Sequence, residues 1–505
     1  MSRLHEPAPE PPRPRRPVGV SASDLARVLG TTAPETEIAL NGVTLDSRSV
    51  EPGDLWCALP GATAHGAQFA AQAKSLGAVL ALTDPAGRAR CEAAGLPALV
   101  VEDPRAATAL AAALVHDRPA AKLTTLGVAA GSVGTSGTAY RDAQGADHAI
   151  GTVRTTPEAP ELHGLLARMV EDQVELVSME VSSHAMVLHR ADEVVFDAVC
   201  FTNLTQDHLD FHGTMEAYYE AKRLLFTPEH ARRAVVCVDD EWGRRLAREA
   251  TIPVTTYATR EGIEADHRVR EIRAGDYGSD FTVEGPDGTR TLHAALPGRH
   301  YVANTLASVL LLEALGHSGP EVVRTLGEAG IVPGRMEPVA HTPRRGVVDY
   351  SHTPDALEQA LETLRAIPGT GRLLVVMGAG GDRDRTKRPR MGEVAARLAD
   401  VVIVTDDNPR TEDPASIRRQ VLDGIPDATK AQVHEVGGRG EAIALAAALA
   451  DVSDTILVAG KGAETGQQIG DIVHPFDDRL RLRDALRSAP RARTGTDADH
   501  TDEGR

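Results

Sequence analysis

The stretch Leu123-Thr124-Thr125-Leu126-Gly127-Val128, together with Ala129-Ala130-Gly131-Ser132-Val133-Gly134-Thr135-Ser136-Gly137-Thr138, decides how the middle of this 505-residue chain is read. Its first six residues predict a short buried strand. The run from Ala129 to Thr138 is rich in glycine, as a loop wrapping a phosphate would be, but G-x-x-x-x-G-K-[ST] fits it in no register. Between Lys122 and Lys222 the chain contains no lysine at all. Downstream, β-rich runs at 174–181, 194–202 and 234–238 flank a helical stretch near 214–226. That alternation is the pattern of a mostly parallel, doubly wound sheet.

Working outward, residues 18–121 show shorter β/α alternations, including a run at 78–83 and an alanine-rich helical stretch over 106–116. Turn formers in Pro333-Gly334-Arg335-Met336-Glu337-Pro338 mark a second boundary. Beyond it, β-rich runs at 346–350, 373–377, 401–405 and 455–459 are separated by helical segments such as 391–399 and 441–450. The expected organisation is therefore α/β in three domains, at 18–121, 122–337 and 338–490. A chain of this length is too long for one core. Residues 1–17, with prolines at 7, 9, 11, 12, 14 and 17, and the tail 491–505 are expected to be disordered.

The formal net charge of −18 argues against nucleic acid and anionic membranes as partners. No apolar run approaches the ~18 residues of a membrane span, and 1–17 lacks the apolar centre of a secretory signal. Cys57, Cys91, Cys200 and Cys237 are far apart with no C-x-x-C pair, so neither a zinc site nor a disulfide framework is expected. A cytoplasmic monomer acting on small molecules is the expectation.

In parallel α/β sheets, ligands collect at the carboxyl ends of strands. The run 174–179 ends in Met179-Glu180-Val181-Ser182-Ser183-His184, where a carboxylate can hold Mg²⁺ or merely cap the next element. The next ends in Thr202-Asn203-Leu204-Thr205-Gln206-Asp207-His208-Leu209-Asp210-Phe211-His212-Gly213, which carries four titratable side chains between 207 and 212. On the following helix Met215, Tyr218, Lys222 and Leu225 recur at spacings of 3, 4 and 3, which places the lysine on the apolar face. Such a lysine is either a neutral, nucleophilic amine able to take up carbon dioxide as a carbamate, or a snorkelling side chain at the edge of that face. In the last domain, Gly378-Ala379-Gly380-Gly381-Asp382-Arg383-Asp384-Arg385, Asp406-Asp407-Asn408-Pro409-Arg410 and Gly460-Lys461-Gly462-Ala463-Glu464 each follow a strand. Carboxylates, an amide and arginines at one sheet edge suit an amino acid with several charged groups.

Together these clusters resemble the Mur ligases, and within them the branch that adds the third residue of the peptidoglycan stem peptide. The matching stretches include Thr44-Leu45-Asp46-Ser47-Arg48, Arg154-Thr155-Thr156-Pro157-Glu158-Ala159-Pro160, Tyr219-Glu220-Ala221-Lys222, Asp349-Tyr350-Ser351-His352-Thr353-Pro354-Asp355 and His474-Pro475-Phe476-Asp477-Asp478-Arg479, as well as the strand-end clusters. The likeness covers roughly 20–487. It implies a central mononucleotide-binding parallel sheet and a Rossmann-like C-terminal domain. It also implies an ATP-dependent ligase that phosphorylates the D-glutamyl carboxylate of UDP-MurNAc-L-Ala-D-Glu, so that an amine can then displace phosphate. By this resemblance Ser47, Thr155, Thr156, Ser182 and Arg190 would hold the UDP-sugar peptide. Glu180, His208 and carbamylated Lys222 would be catalytic and arrange Mg²⁺. Asn304, Arg335 and Asp349 would serve ATP. Arg383, Asp407, Asn408, Pro409, Arg410, Gly460 and Glu464 would bind the amino acid, and the Asp-Asn-Pro-Arg form implies meso-diaminopimelate.

The chain also departs from that family. After Leu126-Gly127-Val128 the family has a glycine-rich loop with Gly-Lys-Thr-Thr and then a helix, whereas here Val133-Gly134-Thr135 resembles the strand beyond that helix. Loop and helix are thus expected to be missing together, with a large loss of ATP affinity and turnover. The alternative is a degenerate homologue that binds the UDP-sugar peptide or the amino acid without turnover. Ala463 stands where a histidine is usual, and His300-Tyr301 replace Phe-Asn.

Overall fold

The computed structural model describes residues 13–61, 63–129, 138–150, 154–275, 278–317, 319–327, 332–340 and 344–489. The glycine-rich run 130–137, the first twelve residues and the tail from 490 lie outside them.

Among the described residues three sheets of four or more strands succeed one another along the chain. The first is parallel, with strands Gly42–Thr44, Asp54–Ala58, Leu80–Thr83 and Ala98–Val100 in that order. Its strands are near-continuous apolar runs because helices cover the sheet, and Asp54–Ala58 is buried at every position.

The central sheet has eight strands in the order Leu176–Glu180, Thr124–Ala129, Ala198–Phe201, Ala234–Cys237, Val254–Ala258, His267–Gly275, Gly278–Gly285 and Gly288–Ala294. The first six run parallel and the last two extend it as an antiparallel meander. One face is covered by the helix Ala159–Glu171, whose Leu162, Leu165, Leu166 and Met169 pack with Val177, Phe196, Val199 and Phe201. The other is covered by Arg299–Ala314, whose Val302, Leu306 and Leu310 pack with Ala198, Cys200, Val235, Tyr257 and Leu292.

That second cover stops short of the outermost strand. On Leu176–Glu180 the side chains of Leu176 and Ser178 are exposed, Leu176 by 38%. The chain between the first central strand and the outermost one explains this. Only residues 130–137, eight in all, separate Ala129 from Thr138. A small hairpin, Thr138–Arg141 with Asp147–Ile150, comes next, and among the described residues only one helix, Ala159–Glu171, then leads into Leu176–Glu180. Eight residues match the length of the phosphate-loop motif.

The third sheet runs Glu337–Ala340, Arg345–Asp349, Thr455–Ala459, Leu373–Met377, Val401–Val404, Gln432–Glu435 and is parallel after its first pair. Its first strand begins at Glu337, one residue before the expected boundary.

The N-terminal expectation needs correction at 13–17. Arg13 forks onto both oxygens of Asp54 at 2.8 and 2.9 Å, and Arg15 pairs with Asp172 at 2.8 Å. Proline-rich composition favours disorder, but these arginine–carboxylate pairs, one of them bidentate, tie this segment to both the first and the central domain.

Candidate active site

A cavity of about 980 Å³ lies where the carboxyl ends of the central strands face the C-terminal domain. Glu180, Thr202, Asn203 and Asp207 line it from one side, and Arg335, Asp349, Tyr350 and His352 from the other. Tyr301 packs against the cores of both domains, with the His300 ring beside it at 4.0 Å between ring centres. Burial pushes His300 down to about 4, so it is a neutral ring at this junction.

Lys222 sits within this half of the site. Its helix, Met215–Arg223, starts at an N-cap where Thr214 Oγ1 accepts from the Ala217 N–H at 3.1 Å. The predicted apolar face forms: Tyr218 and Lys222 are each 3% exposed and Leu225 1%. The lysine does not snorkel. Its Nζ lies 5.2 Å from the centre of the Tyr218 ring, and burial lowers the amine to about 8 against the opposing pull of Glu180 and Asp207. His208 adopts a left-handed backbone (φ 54) at the start of the short helix Leu209–His212 and packs edge-on to His184 at 4.9 Å. Among the described residues no group of three or more His, Cys, Asp or Glu side chains could hold a metal ion. Glu180 and His208 alone do not make such a site.

Four of the five residues expected at the UDP-sugar peptide come together. Thr156 is fully buried; its Oγ1 donates to the Glu180 carbonyl at 2.9 Å and accepts from the Ser182 N–H at 3.1 Å. Thr155 lines the cavity beside it. Arg190 reaches the same segment through Glu158 at 2.9 Å. Glu158 also gathers Arg105 from the first domain at 3.4 Å and Arg154 at 3.7 Å. This three-arginine cluster, an anion trap around one carboxylate, escapes sequence reasoning because its members come from separate segments. Ser47 is not drawn in: its hydroxyl donates to Gln72 within the first domain at 2.9 Å.

The amino-acid residues form a compact group at the carboxyl edge of the third sheet. Gly381 and Gly460 make it compact. A Cβ on Gly381 would sit 1.9 Å from the Pro409 carbonyl, and one on Gly460 (φ +118) would sit 2.5 Å from Asp407 Oδ2. Arg410, itself left-handed at φ 50, donates to the Gly381 carbonyl at 2.7 Å. The Arg410 and Arg383 side chains flank Gly380. Asp407 and Asn408 are both buried, and Asn408 Nδ2 donates to Glu464 Oε2 at 2.9 Å.

Of the three residues expected at ATP, Asn304 is exposed on the cavity wall. Arg335 lies over the Tyr350 ring at 4.3 Å. Asp349 is committed to the protein: Oδ2 accepts from the Met336 N–H at 2.7 Å and Oδ1 from the Ser351 N–H at 2.9 Å. It ties the turn that carries Arg335 to the end of its strand.

Family models described as Mur ligase family, catalytic domain, as Mur ligase middle domain, and as Mur ligase, glutamate ligase domain match residues 39–116, 109–312 and 334–462. A UDP-N-acetylmuramoyl-L-alanyl-D-glutamate–2,6-diaminopimelate ligase of Streptomyces coelicolor is 47% identical over 95% of this chain and 99% of its own. A UDP-N-acetylmuramyl-tripeptide synthetase of Leifsonia xyli is 40% identical over 96% and 99%. A solved UDP-N-acetylmuramoyl-L-alanyl-D-glutamate–2,6-diaminopimelate ligase shares 29% identity and a TM-score of 0.63 over 93% of this chain and 99% of that one. MurF of Acinetobacter baumannii, at 18% identity and the same TM-score, shares the fold. The chain belongs to the Mur ligase family.

Proposed function

We propose that this chain is an ATP-dependent amide ligase of peptidoglycan precursor synthesis, joining meso-diaminopimelate to UDP-MurNAc-L-Ala-D-Glu. The observation that carries this reading is the C-terminal pocket. Arg383 and Arg410 flank Gly380, while Asp407 lies against Gly460 and Glu464 accepts from Asn408. Such a set suits a substrate bearing a distal carboxylate as well as an ammonium, and lysine lacks that carboxylate.

In the reaction, the D-glutamyl carboxylate attacks the γ-phosphorus of ATP, the β–γ bridge breaks and ADP leaves. The amine of diaminopimelate then attacks the acyl carbon, loses a proton and expels phosphate. Mg²⁺ would neutralise charge between phosphate oxygens, held by Glu180, His208 and Lys222. Burial fits Lys222 to this role, because a neutral amine can become the carbamate that supplies the missing oxygen donors. Thr155 and Ser182 would orient the dipeptide, with the buried Thr156 holding their segments together, and the arginines around Glu158 would meet its anionic groups. The substrates are small and charged, which fits a cytoplasmic site of action without a partner chain.

A second reading is favoured by the eight-residue spacing between Ala129 and Thr138 and by the bare face at Leu176. The chain would then bind the UDP-sugar peptide without turning it over. Purified protein incubated with UDP-MurNAc-L-Ala-D-Glu, ATP and meso-diaminopimelate decides between them by mass spectrometry. Tripeptide product supports the ligase, and bound dipeptide with no product supports the binder.

A further inference from the structure

Lys461 lies entirely buried directly behind the amino-acid pocket. Its Nζ donates to Asn408 Oδ1 at 3.1 Å and to Glu464 Oε2 at 2.9 Å. The Gln468 N–H reaches the same Asn408 oxygen at 2.9 Å. Two donors converging on one atom fix which end of the Asn408 amide is oxygen, so Nδ2 points to Glu464 Oε2, where it donates at 2.9 Å. Lys461, Asn408 and Glu464 thus close a triangle across the ends of the strands Val401–Val404 and Thr455–Ala459.

A buried ammonium is costly unless fully partnered, and an apolar side chain of similar volume would pack as well without that cost. The neighbouring carboxylate has a matching device. Arg439, also fully buried, lies 4.0 Å from Asp407 Oδ2 and is held from behind by both oxygens of Asp478, at 2.8 and 2.6 Å. Each acidic group of the pocket therefore has one buried cation behind it, and the Glu464 side chain, 38% exposed, keeps Oε1 outside the triangle.

We propose that Lys461 is a positioning residue for the amino-acid substrate. By engaging Oε2 of Glu464 and the oxygen of Asn408, it leaves Glu464 Oε1 and Asp407 as acceptors for the substrate ammonium, and it offsets the repulsion between those two carboxylates. This role rests on the diaminopimelate reading of the pocket.

Two measurements test it. The first needs no ligand: urea denaturation of the wild type, K461M, E464Q and the double variant. The expected result is a double variant more stable than the two single losses predict, and simple additivity overturns the triangle. The second is calorimetric titration of meso-diaminopimelate into protein saturated with UDP-MurNAc-L-Ala-D-Glu. K461M is expected to weaken the amino acid at least tenfold while binding the UDP-sugar dipeptide as the wild type does. Wild-type affinity in K461M, or an equal loss of both ligands, overturns the positioning role. A wild-type chain that binds no meso-diaminopimelate overturns the substrate reading and the role of Lys461 toward it. A non-additive stability cycle separates that result from a misplaced lysine.

Discussion

Burial against Tyr218 is what makes the Lys222 amine chemically available, because removing water penalises the ammonium more than Glu180 and Asp207 restore it. With the amine at about 8, its neutral fraction grows as pH rises through that value, and only the neutral form adds carbon dioxide. Protein equilibrated with ¹³C-bicarbonate should therefore show a carbamate carbon resonance at pH 8.5 that fades toward pH 6.5 and is absent from K222R. An equal signal in K222R would place the carbamate elsewhere. The Arg439–Asp478 pair invites a different experiment. Both side chains are wholly buried, so R439L strands a buried carboxylate and should cost about 3–5 kcal/mol in urea denaturation. The R439L/D478L pair should recover only part of that loss, since the stranded Asp478 carboxylate is gone but Asp407 still lacks its cation.

At the scale of elements, the helices Pro104–Val115 and Ala159–Glu171 join the first domain to the second, and each carries a buried histidine. His116 caps the end of the first and His163 lies within the second. Burial pushes them down to about 3 and about 4 respectively. In the unfolded chain both titrate near 6.5, so between that value and about 4 the unfolded state binds protons the folded state refuses. Stability should thus fall as pH drops through this window, by about 2 kcal/mol per histidine at pH 5. Urea midpoints at pH 7.5 and 5.0 measure the fall, and H163Q should remove a substantial part of it. A pH response identical in H163Q and wild type would refute the assignment.

The same scale shows what is legible in the sequence. The fully buried strands Leu373–Met377 and Thr455–Ala459 can be read residue for residue, because an apolar run has one natural end at each turn. The helix expected at 391–399 begins at Lys387, since Pro389 is tolerated in a first turn that needs no N–H partner. The meander His267–Ala294 goes unread although Val269, Phe281, Val283 and Leu292 alternate inward, and Gly285-Pro286-Asp287-Gly288 marks its turn. The clusters at the strand ends are legible because a parallel sheet gathers its polar groups there. Lys461 and the Glu158 cluster are not, because their meaning arises only where distant segments meet.

For the whole molecule the decisive feature is the eight-residue spacing between Ala129 and Thr138. A phosphate loop supplies backbone N–H donors, a lysine charge and a helix dipole aimed at the phosphates. Glu180, His208 and Lys222 cannot replace donors, so ATP should bind little tighter than adenosine, a comparison that calorimetry makes directly. A helix behind such a loop would also have the exposed Leu176 of the outer strand to cover. Inserting the loop and helix of the Streptomyces coelicolor relative between Ala129 and Thr138 should therefore restore both at once. Burying the 38% of Leu176 that is still exposed is worth about 0.6–1.1 kcal/mol, which for a domain of this size raises the melting temperature by roughly 1–5 °C. ATP affinity and tripeptide formation should rise in the same protein. A graft that gains thermal stability and ATP binding yet forms no more tripeptide than the parent chain would move any limit on turnover away from the phosphate grip, to the substitutions His300-Tyr301 and Ala463 at the domain junction.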